Sequence, residues 1–254
     1  MNQVAKKEKS NIALSSMFEK DADIGLGNLS AEDFALPFLR VLGTQSPEVV
    51  KGDAKYVDGA EAGMIYNTVT KQVFDGEEGI NVLPCFYKRE YIEWSDRGQG
   101  QGAPIAIYSV DSNKIMEATR DAMNKDRLQN GKHLAYTASY YVMTENMDAA
   151  LVTMKSTGMK TAKNWNTLMN SIKMKGSEGM FTPPAYSHLY KLKSVLVSNH
   201  LGSWYGWGAV EKVGPVQSKD LYETAKSFAE SCKKGNVKTQ HGESTPQSEE
   251  KVPF

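Results

Sequence analysis

The run from Ile80 to Trp94 constrains the fold more than any other part of the sequence. It is rich in β-branched and aromatic residues and alternates two sets: Cys85, Tyr87, Arg89, Tyr91, Glu93 and Phe86, Lys88, Glu90, Ile92, Trp94. Side chains on a strand point alternately to opposite faces, so this spacing predicts a long strand with rings and charges on both sides. Pro84 has no amide hydrogen for a ladder and predicts a bulge or an edge position.

Further strands are expected around it. Met64–Val69 and Gln72–Phe74 flank Thr70-Lys71 as a hairpin, and Ile105–Tyr108 is a short strand after the glycine-bearing loop 98–102. His133–Met143 and Ala149–Met154, then Tyr186–Val197 and Trp204–Val213, complete the set. Helical spacing marks Asp111–Arg127, with Ile115, Ala118 and Ala122 on one side and Asp111 as cap. It also marks Thr161–Ile172 (Trp165, Leu168, Met169, Ile172) and Lys219–Lys233 (Leu221, Ala225, Phe228, Ala229). Short strands with inserted helices predict a mainly β, α+β fold, an OB-like antiparallel barrel or bent sheet with a C-terminal helix. Polar residues 1–30 read as a flexible arm, 31–234 as one domain and 235–254 as a disordered tail.

A chain of 254 residues can bury a sufficient core without disulfides or metals. Its two cysteines, Cys85 and Cys232, are far apart, as in a reducing cytosol. Nothing resembles a secretory signal or a membrane span, so a cytoplasmic location is expected.

The formal net charge is zero, but the charge is unevenly placed. From Ala149 to Val210 there are seven lysines (155, 160, 163, 173, 175, 191 and 193) against the single acid Glu178, whereas residues 51–110 carry nine acids against six bases. A locally basic surface suits a polyphosphate backbone, because each lysine on a phosphate releases a condensed counterion. Aromatic residues are interleaved with this charge. Tyr87, Tyr91 and Trp94 lie near Lys88 and Arg89, Tyr186 and Tyr190 adjoin Lys191 and Lys193, and Trp204, Tyr205 and Trp207 lie in the run Gly202–Gly208. Cations that track phosphates and rings on which bases stack are what an unpaired strand requires. The competing reading assigns most of these rings to the core. The acid-free segment Lys155–Asn166 likewise suits either a phosphate at a helix start or an amphipathic helix with a solvated lysine face.

Signals for bond chemistry are poor. His133, His188, His200 and His241 lack ligand-like spacing, and the loop 98–102 lacks the Gly-Lys-Ser/Thr of a phosphate loop. The acids Asp53, Asp58, Glu61, Asp75, Glu77 and Glu78 fall in apparent turns, where a solvated surface is the commoner role. No catalytic residue, cofactor or metal is expected.

The polar tail ends Glu249-Glu250-Lys251-Val252-Pro253-Phe254. A terminal ring beside its own carboxylate makes a compact anchor for an apolar pocket with a basic rim. This resembles the C-terminal tip of bacterial and phage single-stranded DNA-binding proteins, although Lys251 interrupts the acidic run. The resemblance implies an OB-type barrel and recruitment of replication or recombination proteins through Glu249, Glu250, Pro253 and Phe254, with self-association possible in such proteins. Pattern and charge add candidate phosphate contacts at Arg89, Lys155, Lys160, Lys163, Lys191 and Lys193, and stacking rings at Tyr91, Trp94, Trp204 and Trp207. The expected function is sequence-tolerant binding of single-stranded DNA in phage replication or recombination, without catalysis. The alternatives are a strand-annealing recombination protein and a virion or assembly protein.

Overall fold

The structure, a computed structural model, describes residues 17–18, 20–21, 36–96, 104–122, 125–199 and 202–237. The chain divides into two compact units, Met1–Phe34 and Ala35–Phe254. In the first, the Asp21 amide donates to the Met17 carbonyl at 3.2 Å, closing a helical turn.

The second unit opens with β1 (Phe38–Val41), β2 (Ile65–Asn67), β3 (Val73–Phe74) and the long β4 (Ile80–Trp94). It continues through β5 (Ala106–Ser109), β6 (Thr119–Arg120), β7 (Asp126–Arg127), β8 (His133–Thr144) and β9 (Ala149–Lys155) to helix α1 (Met159–Ser171). Then come β10 (Met174–Gly176), β11 (Gly179–Phe181), β12 (His188–Leu192), β13 (Ser194–Asn199), β14 (Gly202–Trp207), β15 (Glu211–Pro215) and helix α2 (Lys219–Lys233).

The main sheet runs β15-β12-β4-β8-β9-β1-β2-β3, with β5 beside the far end of β4 and the β6–β7 ribbon beside the start of β8. Its pairs are antiparallel except β1 with β9, which run parallel with Phe38 opposite Leu151 and Leu39 opposite Val152. The spine is the β4–β8 ladder, from Val82 opposite Thr144 to Trp94 opposite His133. The register shifts between Pro84 and Phe86, so the proline marks a bulge inside the sheet. A strand as long as β4 spans roughly 50 Å, and the sheet takes it up by curling into a half-barrel.

The two helices lie on opposite faces of this sheet. On one, Trp165 of α1 is fully buried and stacks on Tyr140 of β8, with centroids 4.2 Å apart, edge-on to Tyr190 at 5.9 Å. The Tyr140 hydroxyl donates to the Ala162 carbonyl at 2.9 Å and ties the helix to the strand. On the other, α2 starts at Ser218, whose Oγ accepts from the Leu221 amide at 3.2 Å. It lays Leu221, Ala225 and Ala229 on Leu83, Cys85 and Met143. Cys85 and Cys232 are both buried and free, and burial pushes both thiols up, Cys232 to about 12.

The structure corrects the expected helix over 111–127. Its described residues hold a 3-10 turn, Asn113–Glu117, with no buried residue, followed by β6 and β7. One isoleucine and two alanines bury too little to fix a helix there. Charge pairs tie the segment down instead: Arg120 Nε donates to Asp126 Oδ1 at 2.8 Å, and Arg127 Nε to Asp121 Oδ2 at 2.6 Å. The two late strands expected at 186–197 and 204–213 are each divided. At Ser194 the amide turns to the Gly76 carbonyl, 2.8 Å, and Gly208 donates back to Lys193, 2.8 Å, so β13 and β14 leave the sheet as a separate ribbon.

Candidate nucleic-acid interface

Register assigns Phe38 and Arg40 of β1, Tyr66 of β2, Thr153 and Lys155 of β9, Thr137 of β8, and Ile92 and Trp94 of β4 to one face of the sheet. α2 covers part of this face. The remainder opens as a trough of about 1050 Å³, whose far wall is the turn carrying Glu48, Lys55 and Tyr56.

Among the described residues, four cations, Arg40, Lys55, Lys71 and Lys155, line the trough, against one acid, Glu48. Glu48 is buried and held by Arg40, Nη2 to Oε1 2.5 Å, and the Arg40 guanidinium lies 5.5 Å from the Tyr66 ring centre. Loss of water, and then the Glu48 charge, raise the Tyr66 hydroxyl above its ordinary pKa, so it stays protonated. The Lys155 ammonium sits 4.7 Å from the centre of the half-buried Trp94 ring. Part of the Lys155 side chain reaches solvent, yet desolvation holds its pKa below the usual lysine value. The trough therefore offers a ring face, a cation poised over it and further cations along the same wall.

Of the residues expected from sequence, the structure brings Trp94 and Lys155 together here. Arg89 and Tyr91 are on the opposite face of β4. Lys160 and Lys163 are exposed on α1, which packs on that opposite face. Lys191 lines a smaller hollow of about 250 Å³ beside Glu145 and Asp148, and Lys193 is paired with Glu211 at 3.1 Å, so both already have acidic neighbours. Trp204 and Trp207 point to opposite sides of the β13–β14 ribbon, and Trp207 packs against the core beneath α1. Thus the ten residues do not form one trough: pleating separates them, and two of the lysines meet acids. Glu249, Glu250, Pro253 and Phe254 lie outside the described residues.

Sequence reasoning missed Arg40, Lys55, Lys71, Tyr56 and Tyr66. All but Arg40 belong to the stretch 51–110, whose summed charge is acidic, so a regional count hides them. The alternation of Phe38 with Arg40 was the one local signal for this wall.

Among the described residues, no group of three or more His, Cys, Asp or Glu side chains is placed to hold a metal. No helix among them is long and apolar enough to cross a membrane. No curated protein and no solved structure matches the chain. A family model does, over residues 6–238, and by this match the chain belongs to the Pam3 phage gp34-like protein family.

Proposed function

We propose that the protein binds single-stranded DNA in the trough during phage replication or recombination, without sequence preference and without bond chemistry. The carrying observation is Lys155 poised over the Trp94 ring in a trough whose wall also presents Lys55 and Lys71, Arg40 being held by Glu48. Phosphates neutralise these cations and release counterions, and a base slides against the indole. Family membership supports the phage setting. The curl of the sheet supports an OB-type barrel as the finer architecture. The tail Glu249, Glu250, Pro253 and Phe254 recruits replication proteins, as in the single-stranded DNA-binding proteins it resembles.

The test is titration with oligo-dT across a salt series, read by tryptophan fluorescence. Trp165 is sealed in the core, so quenching has to come from more open indoles, and Trp94→Phe should abolish most of it. Affinity should fall steeply as salt rises. No quenching at low salt overturns the proposal.

A second reading, an assembly protein, is favoured by the two ribbons outside the main sheet. They expose Met180 (67%) and Phe181 (46%) on β11 and Leu196 (58%) on β13. Large oligomers on sedimentation, together with indifference to oligo-dT, would favour it.

A further inference from the structure

We infer that the sheet carries a second single-strand contact on the face opposite the trough, built from Tyr91, Tyr108, Tyr136 and Arg89. This rests on the nucleic-acid reading above and extends it to a second surface.

Register sets three tyrosines side by side across β5, β4 and β8. Tyr91 is directly opposite Tyr108 on one flank and Tyr136 on the other. Residues directly opposite each other share a face, so the rings form one row. The Tyr91 and Tyr136 centroids are 5.1 Å apart with ring planes tilted by 46°. Arg89, two residues from Tyr91 on the same face, is exposed, and its Nη1 donates to the Tyr136 hydroxyl at 3.4 Å.

The row is not core. The cluster under α1 takes in Ala138 and Met154, and none of these three rings belongs to it; all are half-buried and keep part of their surface open. The buried acid Glu93, on the same face of β4 as Tyr91, is already engaged. Glu93 accepts from the Tyr108 hydroxyl at 2.6 Å and from Asn130 Nδ2 at 2.8 Å, which fixes the outer ring and holds the charge within a hydrogen-bonded pair. The Asp111 charge is felt at Arg89. Flat rings aligned across adjacent strands, with a guanidinium beside them, match unpaired bases and a phosphate. Arg89 favours this occupant over an apolar protein face, which would leave its charge buried without a counter-charge.

The experiment uses the full chain and oligo-dT carrying 5-iodouracil, irradiated and mapped by peptide mass spectrometry, beside fluorescence titration. Adducts are expected at Tyr91, Tyr108 or Tyr136 as well as in the trough. In the double variant Tyr91→Ile/Tyr136→Ile, whose β-branched residues suit a strand, these adducts should vanish. Affinity for a long oligomer should drop roughly tenfold, the order of one lost stacking contact. Trp94 quenching by an oligomer of about five nucleotides should be unchanged. Should the double variant fail to fold by circular dichroism, the exposed Arg89→Ser gives the same readouts. Adducts confined to the trough, with wild-type affinity in the variant, overturn the inference and leave the trough reading intact. A dimer that the variant converts to monomer, with no adducts on this face, also overturns it. Absence of quenching by any oligomer instead removes the trough reading and this inference with it.

Discussion

At the scale of single residues, Lys155 carries opposing demands. Desolvation disfavours its ammonium in the folded chain, while a phosphate would favour it. Its folded pKa lies below the ordinary 10.5, so between those values the unfolded chain binds more protons and stability rises with pH. The cost is present in full below the lowered pKa, including at neutral pH. Lys155→Met should therefore raise the thermal midpoint slightly at pH 7 and flatten the alkaline part of the stability–pH curve. The rise is small because solvent screens a partly exposed charge. The same change should reduce the slope of log affinity against log salt by about 1 in oligo-dT titrations. A fall in both stability and affinity would point to a structural lysine. Trp94 is the complementary residue, for it supplies the ring that Lys155 caps and the fluorescence that reports binding.

At the scale of elements, the largest side chain that α1 buries is Trp165. Trp165 is fully buried between Tyr140 and Tyr190, so Trp165→Ala should cost about 3–5 kcal/mol in urea unfolding. That helix was legible because Trp165, Leu168, Met169 and Ile172 keep a helical period. β4 was legible because β-branched and aromatic residues run through Ile80–Trp94 and alternate in two sets from Cys85 on, and α2 because Leu221, Ala225, Phe228 and Ala229 form a single stripe. The segment 111–127 misled because Ile115, Ala118 and Ala122 imitate that period, whereas ion pairs across a ribbon leave no periodic trace. The candidate site was half legible. Ring and cation types near Trp94 and Lys155 could be read locally, but the partner wall could not. Arg40 reaches it only because β1 pairs in parallel with β9, and nothing in either segment announces a partner so distant in sequence. Strand parity also divided Tyr91 from Trp94, as their places in the two alternating sets of β4 already implied.

At the scale of the whole second unit, hydrogen bonds from a loop tie one flank of the half-barrel to the other. The loop after β3 meets the end of β12, where the Ser194 amide donates to the Gly76 carbonyl at 2.8 Å and the Ser194 hydroxyl donates to the Gly63 carbonyl. No side chain fits there. A Cβ on Gly76 would run into the Gly63 carbonyl and Ser194 Oγ, and one on Gly63 would come within 2.7 Å of the Tyr205 ring. Gly63 also has φ +97°, a backbone setting that glycine alone adopts without strain. Because the obstruction at Gly76 is partly backbone, it cannot be relieved by a rotamer change. Gly76→Ala should destabilise the fold by about 1–3 kcal/mol, seen as a lower urea midpoint with an unchanged m-value. Gly206→Ala is the matched comparison, since its Cβ would meet nothing within 4 Å, and its midpoint should stay close to that of the parent. Equal midpoints for the two variants would place the hold on the curl elsewhere, in the bulge at Pro84 and the helices on either face, and the Gly63–Gly76–Ser194 junction would then be a consequence of the curvature and not its cause.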